Sequence, residues 1–196
     1  MSDPETIRLY DTKAADYARL VKAASPDATL QAYIEALPRG AHVLDLGCGP
    51  GRSAALMARA GLVVEAWDAS AEMVRLAAAQ PGVTARLARF GDLAARATYD
   101  GIWANFSLLH APRADLPAHL AAIHCALKSA GLFHIAVKEG SGEARDALGR
   151  FYTYYTEAEL TDLLRAAGFT PGSFKRGIDK GLAGDVSPWI SVTARA

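Results

Sequence analysis

The chain has 196 residues, of which 51% are hydrophobic and 21% charged, and its 21 basic and 21 acidic residues cancel to a formal net charge of zero. That length suits one globular domain able to bury roughly 70% of its unfolded surface, and the neutral balance argues against the basic field of a dedicated nucleic-acid binder. MSDPETIRLYDTKAADY lacks the charged start and apolar stretch of a secretion signal, no run is long enough to span a membrane, and Cys48 and Cys125 stand outside metal-ligand spacing. The expectation is a reduced, cytoplasmic protein with no membrane or nucleic-acid partner and no metal.

In chain order, Ser25–Pro26 opens a predicted helix whose apolar residues are Leu30, Tyr33, Ile34 and Leu37. HVLDL (42–46) reads as a strand closed by glycines, and SAALMARAG (53–61) as a helix stopped by Gly61, a residue that tolerates positive φ. LVVEAW (62–67) is a second strand, and SAEMVRLAAAQ (70–80) a second helix with Ser70 as N-cap. VTARLA (83–88) and YDGIWANF (99–106) are further strands. Leu116, Leu120, Ile123 and Leu127 then recur on one helical face. GLFHIAV (131–137) is a fifth strand, and Thr156 with Glu159 forms a capping box for a helix ending at Gly168. FTPGSFKRG and WISVTARA are both strand-like with no helix between them. The alternation predicts one Rossmann-like α/β sandwich, mainly parallel, finished by an antiparallel hairpin at one edge.

The abrupt feature is VLDLGCGPGR (43–52), with Gly47, Gly49 and Gly51 in five residues. A glycine turn between a parallel strand and the next helix lies where open α/β sheets bind ligands, and it lets the ligand approach bare backbone. The spacing departs from the dinucleotide pattern G-x-G-x-x-G, because Arg52 stands where the third glycine belongs and Gly51 comes one residue early. Asp45 also interrupts the strand run, which a dinucleotide site does not ask for. Asp68 ends the second strand, suitably placed for two ribose hydroxyls, and Asp92 in FGDL could accept from an adenine amino group.

VLDLGCGPGR, Asp68, GDL after the third strand and YDGIWANFSLLH together resemble the ordered motifs of class I S-adenosylmethionine-dependent methyltransferases. The resemblance spans residues 40–196, and YDTKAADYARL (10–20) is similar to the N-terminal cap helix of many small members. It implies a three-layer Rossmann-like fold with a seven-stranded sheet in the order 3-2-1-4-5-7-6, strand 7 antiparallel. Cap helices over 1–39 would pack on the domain of 40–196 as one structural unit. It implies that Asp45 and the loop of Gly47, Cys48, Gly49 and Gly51 hold the methionyl end of S-adenosylmethionine. Asp68 would take the ribose, Ala69 and Met73 would flank the adenine, and Asp92 with Leu93 would read its edge. Asn105 and Phe106 would face the sulfonium. S-Adenosylhomocysteine would be the product.

Outside those motifs, His110 follows the fourth strand, where a histidine could be a general base or a hydrogen-bonding wall residue. Tyr10 and Tyr17 share a helical face, either as core staples or as a lid over the cofactor. KEGSGEARDALGRFYTYY (138–155) reads either as a solvated loop or as a substrate wall, with Arg145 and Arg150 for an anionic group and Tyr152 and Tyr154 for a ring. The functional expectation is SN2 methyl transfer to a small molecule, a metabolite or a metalloid oxyanion as in tellurite-resistance relatives. An RNA or protein methyltransferase and a catalytically inactive interaction subunit are the alternatives; oligomeric state is not legible.

Overall fold

A computed structural model describes residues 3–20 and 27–196. Ser25 and Pro26, expected to open a helix, lie outside the described residues. The chain begins with α1 (Pro4–Leu20) and α2 (Ala28–Glu35), the latter capped by Asp27, whose carboxylate accepts from the Thr29 and Leu30 amides. There follow β1 (His42–Leu46), α3 (Arg52–Arg59), β2 (Val63–Asp68), α4 (Ala71–Ala78), β3 (Val83–Leu87) and β4 (Tyr99–Asn105). The second half comprises α5 (Leu116–Ala126), β5 (Leu127–Lys138), β6 (Glu143–Arg145), β7 (Phe151–Thr153), α6 (Glu157–Ala166), β8 (Thr170–Pro171), β9 (Lys175–Lys180) and β10 (Val186–Arg195).

The main sheet runs β3-β2-β1-β4-β5-β10-β8, with β9 also paired to β10. Strands β3 to β5 are mutually parallel, and β10 is antiparallel to β5, β8 and β9. This is the expected order, with one difference: the outermost position is shared by two short strands, because the ladder breaks after the Gly172 amide, which still donates to the Thr193 carbonyl of β10. The segment 143–153 forms a separate antiparallel hairpin of β6 and β7.

Strand alternation sends successive side chains to opposite faces and so builds two cores. Leu44, Leu46, Ile102, Phe133 and Ile135 meet Leu116, Leu120 and Ile123 of α5 and Leu160 and Leu164 of α6. Val43, Val64, Ala66, Trp103 and Leu132 meet Leu30 and Tyr33 of α2 and Ala54, Leu56 and Met57 of α3. Asp45 is in phase with Val43 and in register with Trp103, which is in register with His134. A polar strip therefore crosses the second face at the carboxyl ends of the strands.

Helix α1 closes that end. Asp11 accepts from the Ser70 hydroxyl at 2.6 Å and from the Glu72 amide at 3.3 Å, which fixes α1 against the start of α4. On its other side, Thr6 accepts from the Phe151 amide at 2.9 Å and Asp3 pairs with Arg145 at 2.8 Å.

Candidate active site

The turn after β1 holds Gly47, Gly49 and Gly51 at φ of +79°, +54° and +78°, all in the left-handed region. A Cβ on Gly47 would overlap the Ser107 side chain, and one on Gly51 would come 2.8 Å from the Ala77 Cα of α4. Only Gly49 opens onto free space, with the Tyr17 ring 3.6 Å from where its Cβ would be. Gly47 and Gly49 both line the cleft, and packing against Ser107 and α4 is a second reason for glycine at 47 and 51.

Above this turn is a cleft lined by Tyr10, Tyr17, Asp45, residues 47–50, Asp68, Met73, Trp103, Asn105, Phe106 and His110. Asp45 is buried, and burial raises its carboxyl to about 7 against the opposing hydrogen bond from the Ala54 amide. Its Oδ2 has no protein partner. Such an orphaned, buried acceptor at a cleft fits an ammonium group. The Asp68 carboxylate accepts from the Gly49 amide and the Ser70 amide, both at 2.9 Å. Burial still raises its pKa, and each oxygen keeps a second lone pair for a ligand hydroxyl. Cys48 lies in the turn, and burial pushes its thiol well up, away from nucleophilic character. These residues fit the amino-acid and ribose parts of S-adenosylmethionine.

The end of β4 supplies the far wall. Asn105 Oδ1 lies 3.3 Å from His134 Nε2, and His134 stacks on Trp103 with ring centroids 3.7 Å apart. Phe106 adopts φ of +54°, a strained backbone for a side-chain-bearing residue, and thereby reaches both the cleft and the space beyond it. His110 is buried, with Nδ1 2.6 Å from the Phe151 carbonyl and Nε2 2.9 Å from the Tyr10 hydroxyl. The carbonyl can only accept, so Nδ1 carries the proton and Nε2 receives the tyrosine O–H. Arg150 Nη1 donates to the same hydroxyl at 3.1 Å, and Arg150 pairs with Asp146 at 2.6 Å, both side chains buried. Burial lowers His110 to about 3. Of the two readings of His110, this geometry favours the hydrogen-bonding wall residue: both ring nitrogens are engaged, and burial leaves the neutral ring a weak base.

A second cavity of about 640 Å³ adjoins the cleft and shares Tyr10, Tyr17, Phe106 and His110 with it. Its other walls are Leu109, Lys138, Arg150, Tyr152, Leu182 and Trp189, with Asp179 and Gly184 at the exposed rim. Of the expected substrate-wall residues, Tyr10, His110, Arg150 and Tyr152 are here. Arg145 and Tyr154 are not, and both are corrected: Arg145 is on the surface, paired with Asp3 and Glu5, and the Tyr154 ring stands beside Tyr152, outside the lining. Ala69, Asp92 and Leu93 do not line the cleft. The Asp92 carboxylate accepts from the Arg89 amide at 2.7 Å and closes its own short helical turn. Sequence reasoning missed Trp103, Ser107 and Trp189. Alternation within YDGIWAN could have marked Trp103 as a second-face neighbour of Asp45, but nothing local indicates that Trp189 lies across from Lys138.

The sequence profile of a family described as a methyltransferase domain matches residues 43–131. A trans-aconitate 2-methyltransferase of Mycolicibacterium gilvum is 42% identical over 73 residues, which is 36% of this chain and 28% of that protein. The Burkholderia thailandensis 1,6-didemethyltoxoflavin-N1-methyltransferase, solved with 1,6-didemethyltoxoflavin and S-adenosylhomocysteine, superimposes with a TM-score of 0.75 at 29% identity, covering 100% of this chain and 91% of that one. A chain from the Haloferax volcanii complex of the Trm112 methyltransferase activator gives 0.75 at 20% identity, covering 97% of each, and shares the fold. The architecture is that of the class I, Rossmann-like enzymes. The profile match identifies a methyltransferase domain over residues 43–131, carried on a fold of the class I, Rossmann-like type.

Proposed function

We propose that the protein transfers the methyl group of S-adenosylmethionine to a nucleophilic atom of a small molecule held in the second cavity. The observation that carries this reading is the shared wall: the cleft over the glycine turn and a separate cavity have Tyr10, Tyr17, Phe106 and His110 in common. When bound, S-adenosylmethionine supplies a sulfonium-activated methyl, the electrophile of an in-line displacement. The chain's own residues bind and orient. Asp45 Oδ2 accepts from the cofactor ammonium, Asp68 from the ribose hydroxyls, and the backbone of Gly49 lets the methionyl end lie close. Met73 packs beside the adenine, with Ala69, Asp92 and Leu93 further along the same strand ends. Asn105 and Phe106 border the reacting methyl. Fixing two reactants in line can supply about 7–11 kcal/mol without any proton transfer.

Two relatives with small-molecule names support the substrate class: one acts on trans-aconitate and the other on 1,6-didemethyltoxoflavin. Among the described residues no helix is long and apolar enough to cross a membrane, and no cluster of three metal-ligating side chains occurs. The test is methyl-labelled S-adenosylmethionine incubated with the protein and an extract of the source cells. Label should accumulate in the small-molecule fraction and be absent with Asp68→Ala. Label in RNA or protein would contradict the substrate class, and tight S-adenosylhomocysteine binding without any transfer would favour an interaction subunit.

A further inference from the structure

The second cavity has a composition more specific than a general small-molecule site. Five aromatic rings line it, from Tyr10, Tyr17, Phe106, Tyr152 and Trp189. Its two described cations differ in their surroundings. Arg150 is neutralised by buried Asp146 and donates to Tyr10. Lys138 is half-buried, and its ammonium lies 4.1 Å from the centre of the Tyr152 ring with no described carboxylate in ion-pair contact. Burial and the neighbouring Arg150 both weigh against its charge. The acidic groups that face it, Asp146, Asp179 and Asp185, are respectively committed to Arg150 and exposed at the rim. A half-buried ammonium that lies on a ring face without a carboxylate in ion-pair contact offers its charge to an anionic ligand.

The missing base points the same way. His110 has both nitrogens engaged, and the buried carboxylates Asp45 and Asp68 belong to the cofactor cleft. Among the described lining residues the remaining carboxylate is Asp179, exposed at the rim, and an acceptor that arrives ionised needs no base.

We propose that the second cavity binds a planar aromatic or heteroaromatic acid as its anion, with Lys138 as the counter-charge, and that the ionised atom is the methyl acceptor. This rests on the methyltransferase reading above for its final step only. The anion's electron pair forms the bond to the methyl carbon while the carbon–sulfur bond breaks, its pair going to sulfur. The products are a neutral methyl ester, ether or N-methyl compound and the uncharged thioether, and no proton is released. Charges cancel as the reaction proceeds, which a wall of aromatic side chains favours over bulk water.

The test uses matched probes with the intact protein saturated with S-adenosylhomocysteine: benzoate against benzamide and 2-naphthoate against 2-naphthamide, titrated by ligand-observed NMR. Each acid should bind at least about tenfold more tightly than its amide, as expected for a charge-assisted contact. Lys138→Met should erase the preference while keeping S-adenosylhomocysteine affinity, which also shows that the variant is folded, and Lys138→Arg should retain it. Equal binding of acids and amides, absence of binding by any acid, or a preference that survives in Lys138→Met would overturn the proposal. S-Adenosylhomocysteine is also titrated alone. Failure of that titration with the acid preference intact would defeat the methyl-transfer reading and leave the anion site standing.

Discussion

Asp45 shows how a residue can serve a ligand at a cost to the empty protein. Its carboxyl is buried, raised to about 7, and leaves Oδ2 unpaired. A group whose folded pKa lies above its unfolded value binds more protons when folded, so its contribution to stability is greatest below pH 3.8 and is lost as pH rises towards 7. Asp45→Asn should therefore stabilise the cofactor-free protein at pH 8 by on the order of 1 kcal/mol, read as a higher Tm, while removing S-adenosylhomocysteine binding. In the wild type, a bound ammonium favours the ionised carboxylate, so cofactor affinity should fall as pH drops below about 7 in step with protonation of Asp45. A pH-independent affinity between pH 6 and 8 would contradict that contact. Gly47 is costly to change for a different reason. Gly47→Ala combines a positive φ with overlap on Ser107 and should destabilise by about 2 kcal/mol or more in chemical denaturation. The sequence showed that Asp45 was out of place in a strand run. It could not show the unpaired oxygen, which depends on Trp103 and Tyr33 arriving from elsewhere without offering it a hydrogen bond.

Among the elements, α1 and the β6–β7 hairpin act as one cover. The chain Asp146–Arg150–Tyr10–His110–Phe151 runs through both, and Thr6 accepts from the hairpin amide at Phe151. Removing one partner of the buried ion pair leaves the other uncompensated, so Asp146→Ala should cost about 3–5 kcal/mol and loosen the wall of the second cavity. Arg145→Ala removes exposed contacts to Asp3, Glu5, the Gly149 carbonyl and the Phe151 ring and should leave acceptor binding unchanged, with a small Tm shift. Acceptor binding weakened as much as in Asp146→Ala would show that the hairpin depends on both arginines. In sequence the two arginines look alike, each beside glycines and tyrosines. What separates them is burial: Arg150 is closed in by Asp146 at i,i+4 and by Tyr10, whereas Arg145 meets Asp3 and Glu5 at the surface, and these N-terminal partners lie more than a hundred residues earlier, contacts that no local pattern encodes.

For the molecule as a whole, strand–helix alternation and glycine stops made the parallel sheet and its order legible, because the central strands β1 and β4 are short and largely buried. Capping residues Ser70 and Thr156 marked helix starts that the structure keeps. Less legible were the split outer strand and the second cavity, since Lys138, Trp189 and Leu182 converge only when β10 returns antiparallel beside β5. The proposed cofactor cleft is coded within one contiguous half of the chain, whereas the proposed acceptor cavity is assembled from both ends. The most direct measurement of the account is therefore made on the cleft, by calorimetric titration of S-adenosylhomocysteine into the wild type and Asp68→Ala. One molecule should bind per wild-type chain, with binding lost in the variant. No binding to the wild type, or equal binding to both, would contradict the site.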